Sequence, residues 1–467
     1  MLSILKSEKI LKLNNNWKFE WIISLIFVLF GIIGWQSFYI IGALPVIILS
    51  IALILIYNNF KYGIPAILVL LFSYNNGFNI DHFPFEIVIP VVIFVIFIFW
   101  YTIKNFKKTN IKYLKTCIGM LILSVGFIIP IFWSKAVGNN YVLYIMYFSW
   151  LLYTLLYLLL ACNLNKDCFK IVVFTFSWLS VLITYELAIS AIRYHQANPD
   201  ESIFEFWAYI GWGLCNEAGI MLCFIMPFVF YEFYKSKSML ISLISLCKIF
   251  ILLGGIAITT SRGAIGFGGM EAAVLFLLAF ILKYDDKKMK IAYIVISLSI
   301  IISAAMVVIS KTDVMDDIIN IVFHYKFTAN GREEIWQAGK RFYTTSPLTI
   351  IFGSGIVSEI IELDVYGGVQ STFNVYHNTV LEVLVSAGII GAIGLGVHLF
   401  EKYKMLIKKG WVFGLVFAVG YLFVDLYGLI DNTYGMYYYM VPLAIVLATF
   451  IHADNTELYD EINNNLF

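Results

Sequence analysis

Apolar runs of about membrane-crossing length recur along the whole chain, and no other feature constrains its fold so strongly. In hydrocarbon no water satisfies the backbone, so a crossing segment must close its own hydrogen bonds and needs ~20 mostly apolar residues as a helix. Such stretches fall near 17–36, 38–57, 62–74, 83–103, 113–134, 141–162, 169–192, 213–234, 239–261, 263–283, 289–310, 377–400, 411–430 and 436–453. Pro45 and Pro65 interrupt the second and third, and one of that pair can be re-entrant. The expected fold is therefore all-α, a polytopic transmembrane helical bundle of about 14 spans, with roughly 12–14 compatible with the pattern. At 61% hydrophobic and 13% charged residues, with a mean hydropathy of +0.87, the chain cannot be an ordinary water-soluble domain.

Cationic residues orient membrane proteins, accumulating on the cytoplasmic side. With the N-terminus inside, 22 of the 31 Lys and Arg residues fall on the cytoplasmic face, and Lys248 alone lies mid-span. Both termini are then cytoplasmic, and the only long hydrophilic loop, 311–376, is extracytoplasmic, with short helices expected in it. This divides the chain into N-terminal helices 1–210, central helices 211–310, the loop 311–376, C-terminal helices 377–453 and a cytoplasmic tail 454–467. No small-residue cleavage site follows the first apolar run, which reads as a retained span rather than a removed signal. A net charge of +1 gives no argument for nucleic acid, and the six cysteines lack the spacing of a metal site or disulfide framework.

Arginine runs against this orientation. The chain uses lysine 27 times and arginine four times, yet Arg193, Arg262, Arg332 and Arg341 all fall in segments assigned to the outside. A guanidinium engages phosphate through two parallel hydrogen bonds, which a lysine ammonium cannot do. Any one of these arginines can simply anchor a helix end at the interface, but four on one side favour anion binding.

Arg262 sits in Thr259-Thr260-Ser261-Arg262-Gly263-Ala264, where one span ends and the next begins almost at once. Arg332 opens an external amphipathic helix, since Asn330 and Glu333 have the spacing of an N-cap with its reciprocal acid. A cation in the first helical turn opposes the helix dipole, so Arg332 suits a bound anion; pairing with Glu333 or Glu334 on a solvated face accounts for it equally well. His377 stands in Tyr376-His377-Asn378-Thr379 just before an apolar run, and the positive helix end favours a neutral ring able to accept a proton. Glu186, Glu217, Lys248, Glu271, Glu382 and Asp425 are costly in a span unless they face a polar interior; Glu186 and Glu382 fall toward the outer half. Lys248 needs an acidic partner that the sequence does not name.

Three runs, in this order, resemble the O-antigen ligase and polymerase family: Thr259-Thr260-Ser261-Arg262-Gly263; Gly331-Arg332-Glu333-Glu334-Ile335-Trp336 followed by Pro347 and Gly353-Ser354-Gly355; and His377-Asn378-Thr379-Val380-Leu381-Glu382 ending in Gly388-Ile389-Ile390-Gly391. The resemblance covers roughly residues 210–450. It implies a GT-C-like membrane glycosyltransferase of the bacterial cytoplasmic membrane, with an extracytoplasmic active site and neither metal nor cofactor. The implied substrates are a polyprenyl-pyrophosphate-linked glycan donor and a glycan acceptor, with a flippase and chain-length regulators as implied partners. Arg262 and Arg332 would bind pyrophosphate, and His377 would be the general base of an inverting transfer. Arg193, Arg341, Trp336, Glu382 and Asn378 are candidate substrate-binding residues, although packing is the favoured role of Trp336. Fourteen spans favour a repeat-unit polymerase over a ligase; a lipid-linked oligosaccharide flippase is the rival of another class.

Overall fold

The computed structural model describes residues 13–14, 16–37, 39–74, 85–105, 111–134, 141–199, 210–236, 238–283, 295, 332–356, 361–365, 369–373, 376–409 and 411–453. Thirteen of the fourteen apolar stretches carry helix: α1 (Trp17–Gln36), α2 (Tyr39–Tyr57), α3 (Gly63–Phe72), α4 (Phe85–Lys104), α5 (Ile111–Ile128), α6 (Tyr141–Asn163), α7 (Cys168–Ala197), α8 (Cys215–Lys235), α9 (Met239–Ile258), α10 (Arg262–Lys283), and, after the loop, α13 (Thr379–Ile407), α14 (Trp411–Tyr427) and α15 (Tyr437–Phe450). The fourteenth, 289–310, lies outside the described residues apart from Val295. Among the described residues nine helices are long and apolar enough to cross a membrane, and four apolar helices are shorter. The chain is a multi-pass helical membrane protein.

The re-entrant candidate resolves into a short element. Lys61, in the 3-10 turn before α3, meets Glu20 of α1 at 2.6 Å, while Val69 and Ser73 crowd Gly31 eleven residues further along α1. The segment thus climbs beside α1, but the ten residues of α3 cover only about 15 Å of a ~30 Å apolar layer.

The loop adds what the all-helical expectation did not contain. It carries α11 (Arg332–Tyr343), α12 (Pro347–Phe352) and an antiparallel hairpin of β1 (Ile361–Val365) and β2 (Val369–Phe373), paired from Ile361↔Phe373 to Val365↔Val369. The apolar loop residues Ile318, Ile319, Val322 and Phe323 lie outside the described residues. The docking that is described runs through α11: Ile335 is buried with Tyr376 and Val385, flanked by Phe342, Tyr343 and Leu381.

Gly388 decides the shape of α13. Its φ of 64° breaks the helix, and the backbone of Gly353 lies so close to Ser386 and Ala387 that neither glycine has room for a Cβ. Ser354 N–H donates to the Val385 carbonyl at 2.7 Å, and the Trp133 indole donates to the Gly353 carbonyl at 3.0 Å. Twenty-three residues of straight helix would set Thr379 and Lys402 roughly 35 Å apart. Yet Thr379 N–H bonds the Gly428 carbonyl at 2.7 Å while Lys402 reaches Asp425, one turn away from Gly428, at 2.6 Å. The N-terminal segment 379–387 of α13 therefore folds across the end of α14 instead of continuing the helix axis.

Most of the charges singled out within the spans find partners. Lys248 pairs with Glu232 at 2.8 Å, and Lys402 with Asp425. Lys402 belongs to α13, which runs seven residues past the expected end of its span, so it is a buried bundle residue rather than a cytoplasmic loop lysine. Glu186 accepts the Trp212 indole at 2.9 Å, and Glu217 caps Leu214 N–H at 2.9 Å. Glu271 is fully buried with neither oxygen hydrogen-bonded.

Candidate active site

Three chain segments far apart in sequence meet at the start of α13. Asn378 is its N-cap, its side chain accepting Leu381 N–H at 2.9 Å, which satisfies one of the free amides of the first turn. His377 immediately precedes the cap with φ 47°, a left-handed conformation that costs a non-glycine residue on the order of 1–3 kcal/mol and persists only where surrounding contacts impose it. The imposing contacts come from both sides. Upstream, the Trp336 indole donates to the Tyr376 carbonyl at 2.9 Å, and Gly339 of α11 lies against the Tyr376 ring. Downstream, the segment between α14 and α15 receives the cap: Asn378 N–H bonds Asn432 Oδ1 at 3.0 Å and its amide bonds the Leu429 carbonyl at 2.8 Å.

That receiving segment supplies Asp431, which the sequence reading did not single out. Its Oδ1 accepts Asn432 N–H at 2.8 Å and faces His377 Nδ1 at 3.1 Å; its Oδ2 lies 3.5 Å from Arg332 Nη2. The Asp431 side chain is 8% exposed, against 24% for His377 and 25% for Arg332. The acid is thus held inside while base and guanidinium keep an open edge. A carboxylate only accepts hydrogen bonds, so Nδ1 is the donor of this pair. Arg332 opens α11 as expected and meets Asp431; the side chains of Glu333 and Glu334, its other proposed partners, lie outside the described residues.

Arg262 reaches the same neighbourhood from the membrane side. Thr260, at φ 54°, reverses the chain between α9 and α10, and Arg262 is the first residue of α10, exposed. Ser261 Oγ bonds the Tyr427 hydroxyl at 2.7 Å, and Gly263 lies so close to Tyr427 and Ile430 that a Cβ there would overlap the ring. Both neighbours of Arg262 are thereby fixed to the end of α14, just before Asp431. Glu217, in the first turn of α8, lies within electrostatic reach of Asp431 and His377.

The remaining candidates fall elsewhere or take other roles. Arg193 and His195 lie on α7, which is longer than its expected span, and not in a loop; the Arg193 guanidinium covers the Trp35 ring at 5.4 Å. Arg341 is nine residues beyond Arg332, two and a half turns of α11, so it points to the opposite, exposed face. The Trp336 indole is fastened to the Tyr376 carbonyl. Asn378 is occupied as a cap. Glu382, placed among the substrate contacts by its position, has its oxygens on Tyr376 N–H, Asn432 and Ser386.

A second polar layer lies beneath. The Tyr434 hydroxyl donates to Asp425 Oδ1 at 2.9 Å, Lys402 lies 2.7 Å from that hydroxyl, and the Tyr434 ring stacks on Trp150. Burial first, and then the Asp425 charge, push the Tyr434 hydroxyl well up, keeping it a donor. This layer pins the 431–434 segment from below. Among the described residues no three His, Cys, Asp or Glu side chains converge as a metal-binding set.

A multi-helix membrane fold with an arginine, a histidine and a carboxylate joined at one helix start defines a polytopic membrane protein with a polar cluster at that point. Residues 248–396 match the protein-family model described as O-antigen ligase. That stretch runs from within α9 through the loop into α13 and contains Arg262, Arg332 and His377. The match makes this stretch similar to the O-antigen ligase/polymerase family, without separating polymerase from ligase. Asp431 lies beyond the matched residues. No curated relative matches the chain.

Proposed function

We propose that the protein joins polyprenyl-pyrophosphate-linked oligosaccharide repeat units into a longer glycan on the outer face of the bacterial cytoplasmic membrane. The single observation carrying this reading is the Arg332–Asp431–His377 arrangement at the start of α13. His377 Nε2, its tautomer set by Asp431, takes the proton of the acceptor hydroxyl. The hydroxyl oxygen then bonds to the donor's anomeric carbon from the face opposite the leaving group, inverting it. The anomeric C–O bond breaks, and its electron pair departs on the polyprenyl pyrophosphate. Charge grows on that leaving group as the bond breaks, where fixed guanidinium groups stabilise the transition state more than the ground state. Arg332 serves this from the loop and Arg262 from the membrane side. The 3.5 Å separation of Arg332 from Asp431 leaves its donors for phosphate oxygens.

Polymerisation over ligation rests on the fourteen apolar stretches of the sequence. A flippase is disfavoured because the distinctive residues gather at one end of the bundle, whereas transporter sites lie near the midplane between related halves.

The test is reconstitution with a polyprenyl-pyrophosphate-linked oligosaccharide. Longer glycan is expected with the wild type and is lost in Arg262→Ala, Arg332→Ala and His377→Ala. Normal elongation in all three folded variants sinks the assignment. Transfer to a different lipid acceptor without elongation identifies a ligase, and movement across the vesicle without bond formation a flippase.

A further inference from the structure

We propose that Glu382 is a positioning residue, which holds the His377 backbone in its left-handed conformation and does not touch the glycan; the kinetic part of this claim rests on the reading above. Glu382 lies one turn inside α13, yet its contacts reach back to both sides of His377. Its Oε2 accepts Tyr376 N–H at 3.0 Å, on the residue before the histidine. The same oxygen accepts the Asn432 side-chain amide at 3.3 Å, and that amide's carbonyl accepts Asn378 N–H, on the residue after it. Asn432 also donates its own N–H to Asp431 Oδ1. One carboxylate therefore fixes the residues flanking the proposed base and, through Asn432, the acid that sets its tautomer. Oε1 accepts the Ser386 hydroxyl at 3.3 Å, which turns the carboxylate toward these partners and away from an incoming sugar.

The bonds need acceptors, not a charge. In Glu382→Gln the amide oxygen can take the place of Oε2 and keep both Tyr376 N–H and Asn432, while the new NH2 donates to the Ser386 oxygen, because a hydroxyl accepts as well as it donates. In Glu382→Ala all three bonds are lost, and the Tyr376 N–H that precedes His377 is left without its carboxylate acceptor.

Two measurements on the full-length protein test this. Hydrogen exchange over residues 376–381 is expected to quicken about tenfold in Glu382→Ala and to stay within about threefold of wild type in Glu382→Gln. In the elongation assay Glu382→Ala is expected to lower kcat about 100-fold, as a misplaced catalytic group does, with KM for donor and acceptor little changed. Glu382→Gln is expected to retain kcat within about threefold. Unchanged exchange in Glu382→Ala overturns the proposal. So does a raised KM at wild-type kcat, which makes Glu382 a substrate contact, and so does a Gln variant as slow as Ala, which makes its charge or proton the working feature. Absence of elongation in the wild type falls on the polymerase reading alone, and the exchange comparison still decides for or against Glu382.

Discussion

Glu232 and Asp431 are both buried acids facing a cation, but their pairs are finished differently. Glu232 accepts Lys248 on both oxygens, at 3.1 and 2.8 Å, with the Trp21 indole on one and the Ser177 hydroxyl on the other. Lys248 also sits 4.0 Å over the Trp178 ring, and neither charge exceeds 2% exposure. Four helices, α1, α7, α8 and α9, are tied together there, and no bonding capacity faces outward. Asp431 fills one oxygen and leaves the other with a long contact to a guanidinium that is one-quarter exposed. A closed pair resolves the cost of charge in a membrane protein; an open one keeps donors for a ligand.

The sharpest way to break this comparison is to halve the closed pair. Glu232→Ala strands an ammonium in the bundle and is expected to destabilise the protein by about 3–5 kcal/mol, read as a lowered unfolding temperature in detergent. Adding Lys248→Met to the same chain should recover most of the loss; a single variant that melts like wild type would refute the closed-pair account. At the open site the sign of the effect should reverse. His377→Ala is expected to cut elongation roughly 10²–10⁴-fold while unfolding within about 2 °C of wild type. Arg332→Lys keeps the charge but loses the fork, and should cost about tenfold in kcat/KM, some 1.4 kcal/mol. Arg341→Ala, on the opposite face of the same helix, should change kcat/KM by less than about twofold. A large effect there would mean that α11 turns over in the working state.

Most of the bundle was legible because apolar length in lipid leaves so few alternatives. Its irregularities were not: the break at Gly388 arises from backbone contact with Gly353, thirty-five residues away, and only the packed structure brings those glycines together. At the site, Arg262, Arg332 and His377 each carried a local signal, a cation or imidazole at a helix start. Asp431 carried none, since an acid in a short linker between two spans reads as ordinary surface until Asn378 is seen docking onto Asn432. Arg341 erred the other way. Its count among the outward arginines hid its phase, although nine residues at 3.6 per turn already place it opposite Arg332. Glu382 was legible as lying near the site but not as serving the backbone, because its partners belong to two different segments.

The measurement that bears most directly on the open pair is the elongation rate of Asp431→Asn in proteoliposomes, taken beside its unfolding temperature. Asparagine keeps the shape but can present an N–H to His377 Nδ1, which favours the wrong tautomer. The account predicts a rate at least about 100-fold below wild type with the unfolding temperature unchanged. Wild-type elongation in that variant would contradict it.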